Sequence, residues 1–575
     1  MSHSIEYLMF KYEGEVMPGP EQVLHRLHRA FLADGFQVTG AVYTPSGRIG
    51  LEARHILAAN YDTGERKKSY YIEGTPYERG YLLGLLAEPE ISDMAVNFAG
   101  NIVYDYIDMK FLNSFPAARE LIVSLIYGLS RNTWASQPQH VLEEIEGMIE
   151  GCKKRNPSTR VDESRLVALN AGFDLLCALV YTGKFLEGII PRLFPADIRL
   201  PMMCNAFSVF GGAAAGEHFF GRDFMFVTAG VLQNHIAHII TLPLGGNPQD
   251  MLYPFVNITA PGLAGSPSAM NIRGVAGGVN MSPAANCDVD NIGFNSLLLL
   301  RESIMRAGSA LSASGVIQNA KRGVSWNYAL SDGYTDTACT VEAGASWKHT
   351  DVLSYPAKEL LSYLPSQEFL SSHVTAPLYN GCAVRWCGAP FPDSFYKFNR
   401  GLWDNYNASY GQSAHLFHDA FFPGGFINRT PHEKNCPASL YFAPQRTGRD
   451  VHITTNHFLL PHMRLAAMHP WTATLVQRYV NDIQWRYDEL NHQIRRVLFE
   501  RGAVDYIYAK RLIDFLAPYG KFPQYYHRSP KSADGKQTRI EGCTTLFDLK
   551  RLTAESHYGY YCDDWVKTTL PAYFS

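Results

Sequence analysis

At 575 residues, 46% hydrophobic and 18% charged, the chain has the composition of a globular protein with a large core. Its formal net charge of −3 leaves no broad basic surface for nucleic acid or an anionic membrane, and no stretch approaches the ~20 uninterrupted apolar residues of a membrane span. Ten cysteines, at 152, 177, 204, 287, 339, 382, 387, 436, 543 and 562, are scattered without paired spacing, and MSHSIEYLMFKYEGEV lacks a charged region followed by an apolar run. They read as reduced thiols in a cytoplasmic protein, and the sequons at Asn257, Asn407 and Asn428 carry no weight.

Residues 1–70 hold a short strand-like start, a helix from about Pro20 to Ala33, and a Gly/Pro/Ser-punctuated stretch. This is either an accessory subdomain or an extra edge of a main sheet. From Thr75 to about Phe194 the pattern is mostly helical, with amphipathic runs near Glu78–Leu86, Asp105–Tyr127, Val141–Cys152 and Glu163–Tyr181, a break at Asn156-Pro157, and a close at Ile189 to Pro195.

The next stretch, Arg199 to Phe226 (RLPMMCNAFSVFGGAAAGEHFFGRDFMF), reads as a hairpin. Cys204 heads one strand-like run, Gly211 to Gly216 make the turn, and the return strand carries Arg222 and Asp223. A thiol attacks only as thiolate, so a nucleophilic cysteine needs a base or a cation beside it. If Cys204 were the first residue of a processed chain, its own α-amine, with a pKa near ~8 against ~8.5 for the thiol, would be within reach as base. Arg222, roughly opposite across the turn, would supply positive charge. On this segment alone a buried core cysteine is the better reading.

Beyond the hairpin, strand-like runs (Ile236–Leu242, Asp250–Thr259, Gly274–Met281, Tyr328–Leu330, Cys339–Glu342) alternate with a strong helix at Phe294–Ala307. Residues 346–450 are rich in Gly, Pro, Asn and aromatic residues. Such an insertion forms a lid or substrate wall, or packs a homo-oligomer interface, with the two readings even. Helices at about Trp471–Phe499 and Val504–Leu516 lead into a Tyr-rich tail. No P-loop or G-x-G-x-x-G signals nucleotide binding, no G-x-S-x-G elbow is present, and the Cys and His spacings fit no zinc pattern, so neither cofactor nor metal is expected. His457 reads as a packed, hydrogen-bonded residue.

The order of motifs around Cys204 shifts the balance. Gly74-Thr75-Pro76-Tyr77-Glu78-Arg79-Gly80-Tyr81-Leu82-Leu83-Gly84 is followed by Glu144-Ile145-Glu146-Gly147-Met148-Ile149-Glu150-Gly151, then Cys204 and Gly221-Arg222-Asp223. Next come Met270-Asn271 with Gly274 to Asn280, Asn327-Tyr328-Ala329-Leu330-Ser331-Asp332 with Val341-Glu342, Thr454-Thr455-Asn456-His457-Phe458 and Arg486-Tyr487. In this order the chain from about Glu73 resembles the penicillin acyltransferase (isopenicillin N acyltransferase-like) family of N-terminal nucleophile hydrolases, relatives of the choloylglycine hydrolases.

The resemblance implies an α+β protein, a four-layer αββα sandwich with a helical N-terminal segment. It divides the chain into an extension (1–70), an α fragment (71–203) and a catalytic β fragment (204–575). By the same resemblance Cys204 is both the self-cleavage site after Met203 and the nucleophile, Asn280 and Asn456 shape the oxyanion hole and the amine, and Arg222 and Arg486 are active-site arginines. The chemistry suits those types, because neutral Asn donors stabilise the O⁻ of an attacked amide. Two departures stand out. Met225 occupies the place of an acid, for which Asp223 on the same strand face is a substitute, and Ile483 stands where a Ser is usual. Both point to a different substrate.

The function expected is cleavage of a linear, non-peptide N-acyl amide through a thioester, with hydrolysis preferred to transfer; acyl-CoA is a candidate donor for transfer. The alternatives are an unprocessed binding protein on the same fold, or a phospholipase B-like acyl-ester hydrolase.

Overall fold

In the computed structural model of the chain, residues 20–60, 63–98, 100–101, 116–182, 204–225, 230–245, 251–282, 287–346, 380–388, 447–460, 463, 480–515, 539–560 and 564–574 are described. Met203, the Ile189 to Pro195 segment, residues 471–479 and most of the 346–450 insertion lie outside them.

Helix α1 (Pro20–Ala33) forms where its apolar spacing places it, burying Leu27, Ala30 and Phe31. The punctuated stretch after it is three strands, β1 (Phe36–Tyr43), β2 (Ile49–Ala59) and β3 (Arg66–Gly74), paired antiparallel in succession. Strand β3 runs across residue 70.

Four helices follow: α2 (Pro76–Asp93), α3 (Pro116–Ala135), α4 (Gln139–Arg155) and α5 (Glu163–Thr182). Thr75 and Glu78 make a reciprocal capping box at the start of α2, the Thr75 N–H donating to Glu78 Oε2 at 2.8 Å. The glycines of both upstream motifs serve packing. A Cβ at Gly80 or Gly84 would overlap the backbone oxygen of Glu144 or Met148, and one at Gly147 or Gly151 that of Tyr77 or Tyr81. Helices α2 and α4 thus meet backbone to backbone. Arg79 beside this contact donates to Glu144 at 2.9 Å, and Glu144 also accepts from Arg301 at 2.6 Å. Burial raises the Glu144 pKa, but Arg301 and Arg79 outweigh it and hold the carboxyl below its ordinary value.

After Cys204 come β4 (Asn205–Phe210), β5 (His218–Met225), β6 (Ala237–Pro243), β7 (Phe255–Thr259), β8 (Ser268–Asn271) and β9 (Val275–Met281). Helices α6 (Ser296–Arg306) and α7 (Ala310–Asn319) precede β10 (Trp326–Asp332), β11 (Thr337–Ala343), β12 (Cys382–Trp386) and β13 (Val451–Thr454). Helices α8 (Val480–Arg501) and α9 (Tyr506–Phe515) lead to β14 (Arg539–Asp548), β15 (Thr553–Tyr560) and β16 (Val566–Thr569).

The strands make two large sheets, one in the order β1-β2-β3-β6-β7-β8-β9-β10-β11-β12 and one in the order β13-β4-β5-β14-β15-β16. Only the β3 to β6 pair is parallel among the registered pairs. Adjacent glycines of β9 show the layering: a Cβ at Gly277 would meet Leu300 of α6, and one at Gly278 would meet Arg222 of β5. The larger sheet therefore carries helices on one face and the smaller sheet on the other. On the far side of the smaller sheet, Phe207, Val209 and Met225 pack with Tyr487, Leu490 and Leu512 of α8 and α9. The molecule is a mixed α and β protein with two large sheets.

Between the sheets, buried histidines cross from one to the other. His218 of β5 bonds Ser331 of β10 at 2.7 Å, His452 of β13 bonds Thr340 of β11 at 2.8 Å, and His238 of β6 bonds Thr568 of β16 at 2.7 Å and Ser556 of β15. Burial drives all three below the usual histidine range. His238 falls to about 3, with Lys67 and His55 adding to the shift. For His452 Arg385 adds to it, and for His218 Asp336 opposes it without reversing it.

At these three sites the folded state therefore binds fewer protons than the unfolded chain. This contribution to stability is complete above the unfolded pKa of about 6.5 and is lost as pH falls, by at most about 1.4 kcal/mol per pH unit for each histidine until its own folded pKa is reached. Thermal unfolding should show a falling midpoint from pH 7 to pH 4, with a shallower slope for His238→Gln than for wild type.

Candidate active site

Cys204 is the residue before β4, 1% exposed, with its Sγ 3.5 Å from the Met225 carbonyl oxygen on β5. The hairpin expected from the sequence is present, with Asn205 opposite Asp223 and Ala206 opposite Arg222. Strand alternation then divides the site between two faces. Cys204, Phe220 and Phe224 belong to the core between the sheets, whereas Phe207 and Met225 belong to the core under α8 and α9.

The residues singled out in the sequence come together around the Cys204 backbone. The Cys204 carbonyl oxygen accepts from Arg486 Nη1 on α8 at 2.9 Å and from Asn280 Nδ2 on β9 at 3.3 Å. Arg486 Nη2 also donates to Asn456 Oδ1 at 3.0 Å, and Asn456 Nδ2 donates to the Met281 oxygen at 2.8 Å. Arg222 is fully buried and donates to the carbonyl oxygens of Asn205 (3.1 Å), Asp223 (2.6 Å) and Val279. It thereby ties the hairpin to β9. Asp223 lies on the same strand face as Met225, under α8, and accepts from Asn205 Nδ2 at 3.2 Å. Five side chains from β5, β9, α8 and the turn after β13 thus share one junction with Cys204.

Asn205 was not singled out from the sequence. Its Oδ1 accepts from Arg486 and its Nδ2 donates to Asp223, so it links the buried guanidinium to the buried carboxylate. Its place beside Cys204 at the head of a strand was the available signal. His457 bonds Thr455 Oγ1 at 2.7 Å and packs against Tyr487, as a packed and hydrogen-bonded residue should.

Ser331, His218 and Asp336 have the spacing of a Ser–His–Asp relay, at 2.7 and 3.1 Å. Ser331 and His218 are 0% exposed between the sheets, with the Ser208 hydroxyl 2.9 Å from that of Ser331. Among the described residues no group of His, Cys, Asp and Glu could hold a metal ion, and no helix is long and apolar enough to cross a membrane.

No protein-family model matches the chain. A relative from Archaeoglobus fulgidus, described as an uncharacterized protein, is 25% identical over 512 residues, covering 88% of this chain and 66% of its own length. The chain therefore spans just under two thirds of that relative. Two solved structures of mutant forms of the conjugated bile acid hydrolase from Clostridium perfringens are similar at TM-scores of 0.30 and 0.28, with 11% and 12% identity. Each match covers 64% of this chain and, respectively, 92% and 93% of the hydrolase. Scores this low carry no argument about the reaction.

The contact between Gly278 and Arg222 is testable. A Cβ at Gly278 would overlap the Arg222 side chain, so Gly278→Ala should displace the guanidinium. Gly278→Ala and Arg222→Met should each cost about 2 kcal/mol or more in denaturant unfolding. Because both remove the same contacts, the double variant should be little worse than the poorer single one.

Proposed function

We propose that the protein is a cysteine N-terminal nucleophile amidohydrolase that cuts its own chain before Cys204 and then acts on a linear, non-peptide N-acyl amide. The observation that carries this reading is the junction just described: the Cys204 carbonyl, at the head of a strand, is held from two sides by Arg486 and Asn280, with Asn456 bonded to the same arginine. A core cysteine with only a packing role needs no such arrangement of buried donors.

In the first reaction Cys204 Sγ adds to the Met203 carbonyl carbon. The Met203 to Cys204 C–N bond breaks, its nitrogen leaves as the protonated α-amine of Cys204, and a thioester remains. Water hydrolyses the thioester, restoring the thiol and releasing a carboxylate on Met203. In the second reaction the freed α-amine takes the thiol proton as Sγ attacks the substrate carbonyl, then passes it to the leaving amine, and water resolves the acyl-enzyme.

We assign the oxyanion to the Asn456 amide, which Arg486 holds through Oδ1 and whose Nδ2 has a second hydrogen besides the one given to the Met281 oxygen. Asn280 and Arg486 fix the nucleophile's own carbonyl, and Arg222 holds the strand that Cys204 faces. Asp223 reaches the site through Asn205 and Arg486. Hydrolysis is favoured over transfer because it needs only water as acceptor.

The cut would leave two interlocked fragments. Strand β3 pairs with β6, Glu144 of α4 pairs with Arg301 of α6, and Asp174 of α5 accepts from the Ser296 N–H at 2.6 Å and Trp326 Nε1 at 3.1 Å.

Intact mass of purified protein tests the proposal. Wild type should give fragments of 203 and 372 residues (575 − 203 = 372) that co-elute in size exclusion, and Cys204→Ala should stay whole. A wild-type chain that remains uncut would leave the α-amine unavailable and remove the proposal.

A further inference from the structure

Asn327 and Glu342 belong to one of the sequence motifs, yet neither has a part in the two reactions proposed for Cys204. They stand in one row with Asn280. The registers pair Asn280 of β9 with Asn327 of β10, and Asn327 with Glu342 of β11. All three are at most 1% exposed.

Each of them grips the backbone that leaves β13. Asn280 Nδ2 donates to the Thr454 and Thr455 oxygens at 3.3 and 3.2 Å, and Asn327 Nδ2 to those of Thr455 and His457 at 3.1 and 2.9 Å. The Glu342 carboxylate accepts the Leu459 and Leu460 N–H groups, both at 3.0 Å. Arg385 of β12 closes the row, 3.4 Å from Glu342 and donating to the Ile453 oxygen at 2.9 Å. The span from 453 to 460 is thus held by its backbone at both ends and in the middle. At its centre is Asn456, the side chain bonded to Arg486.

We propose that Asn327 and Glu342 are positioning residues for the Cys204 reaction, holding 454–460 so that Asn456 stands against Arg486 and the forming oxyanion. This rests on the reading of Cys204 as a self-processed nucleophile. A pair that only satisfied buried backbone groups would add stability and nothing else. Acting on the reaction, the row would make the rate fall out of proportion to stability, since a misplacement of about 1 Å can cost on the order of 100-fold.

The test uses the full chain, made by cell-free translation, with appearance of the 372-residue fragment followed by mass and thermal midpoints measured in parallel. Asn271→Ala is the control for stability alone: Asn271 is 0% exposed and donates to the Ile304 and Ala307 oxygens at the end of α6. Asn327→Ala and the isosteric Glu342→Gln should slow cleavage by about 10- to 100-fold, while Asn271→Ala, destabilised to a similar degree, cleaves at the wild-type rate. Asn327→Asp aims an acceptor at two carbonyls, so its rate relative to wild type should recover as pH falls and the carboxyl protonates.

Asn327 and Glu342 variants that cleave at the wild-type rate, or slow no more than Asn271→Ala, overturn the positioning role and leave the parent reading intact. If Asn327→Ala does not fold, Glu342→Gln and the pH recovery of Asn327→Asp decide. A wild-type chain that never cleaves overturns both proposals.

Discussion

One backbone carbonyl, that of Cys204, sets the arrangement around it. It receives Arg486 from a helix outside the smaller sheet and Asn280 from a strand of the larger one, so it lies where the two sheets and an outer helix meet. Arg486 is 0% exposed, and a buried guanidinium that lost its acceptors would cost several kcal/mol. Its position therefore depends on Cys204, Asn205 and Asn456 being in place, and theirs depends on it. This mutual requirement is why the residues of the junction come from elements so far apart in sequence.

The helical segment before Cys204 is part of the same construction. The tight glycine contact of α2 with α4 sets Glu144 between Arg79 and Arg301, and Arg301 belongs to α6, which covers the face of β9 opposite Arg222. The pKa of Asp174, raised to about 6 by burial despite its bonds from Ser296 and Trp326, marks how dry the contact is between α5 and the strands beyond it. A cut before Cys204 would sever one peptide bond and leave this packing unchanged.

Much of this was readable from residue order. The hairpin with Cys204 at its head, the helices α1, α2, α4 and α5, and the strands β6, β7, β9, β10 and β11 follow from periodicity and punctuation, whereas the four-residue β8 was passed over. The site residues were legible only through the resemblance; their spacing gave no distance between them. What stayed hidden has physical causes. Strand β14 carries Gly542 at a positive φ and a register shift between Ile540 and Cys543, which breaks the alternation that marks a strand, and the Tyr-rich tail was not divided into β14, β15 and β16. Helix α7 is built of small residues with Gly315 inside, and the capping pair Ser309 and Ser312 sets its start. Strand register cannot be read from sequence alone, so nothing in it put Asn280, Asn327 and Glu342 in one row. Asn205 was passed over because a polar residue after a cysteine has many uses.

The account stands or falls on Cys204 being the group that takes the acyl chain. The most direct measurement is to mix the protein with a p-nitrophenyl alkanoate, quench in acid within the first turnover, and locate the added acyl mass by peptide mapping. The account predicts a single acyl group on the peptide that begins at Cys204, labile to hydroxylamine as a thioester is. An acyl group on any other residue, or a Cys204→Ala protein that is acylated equally fast, would contradict it.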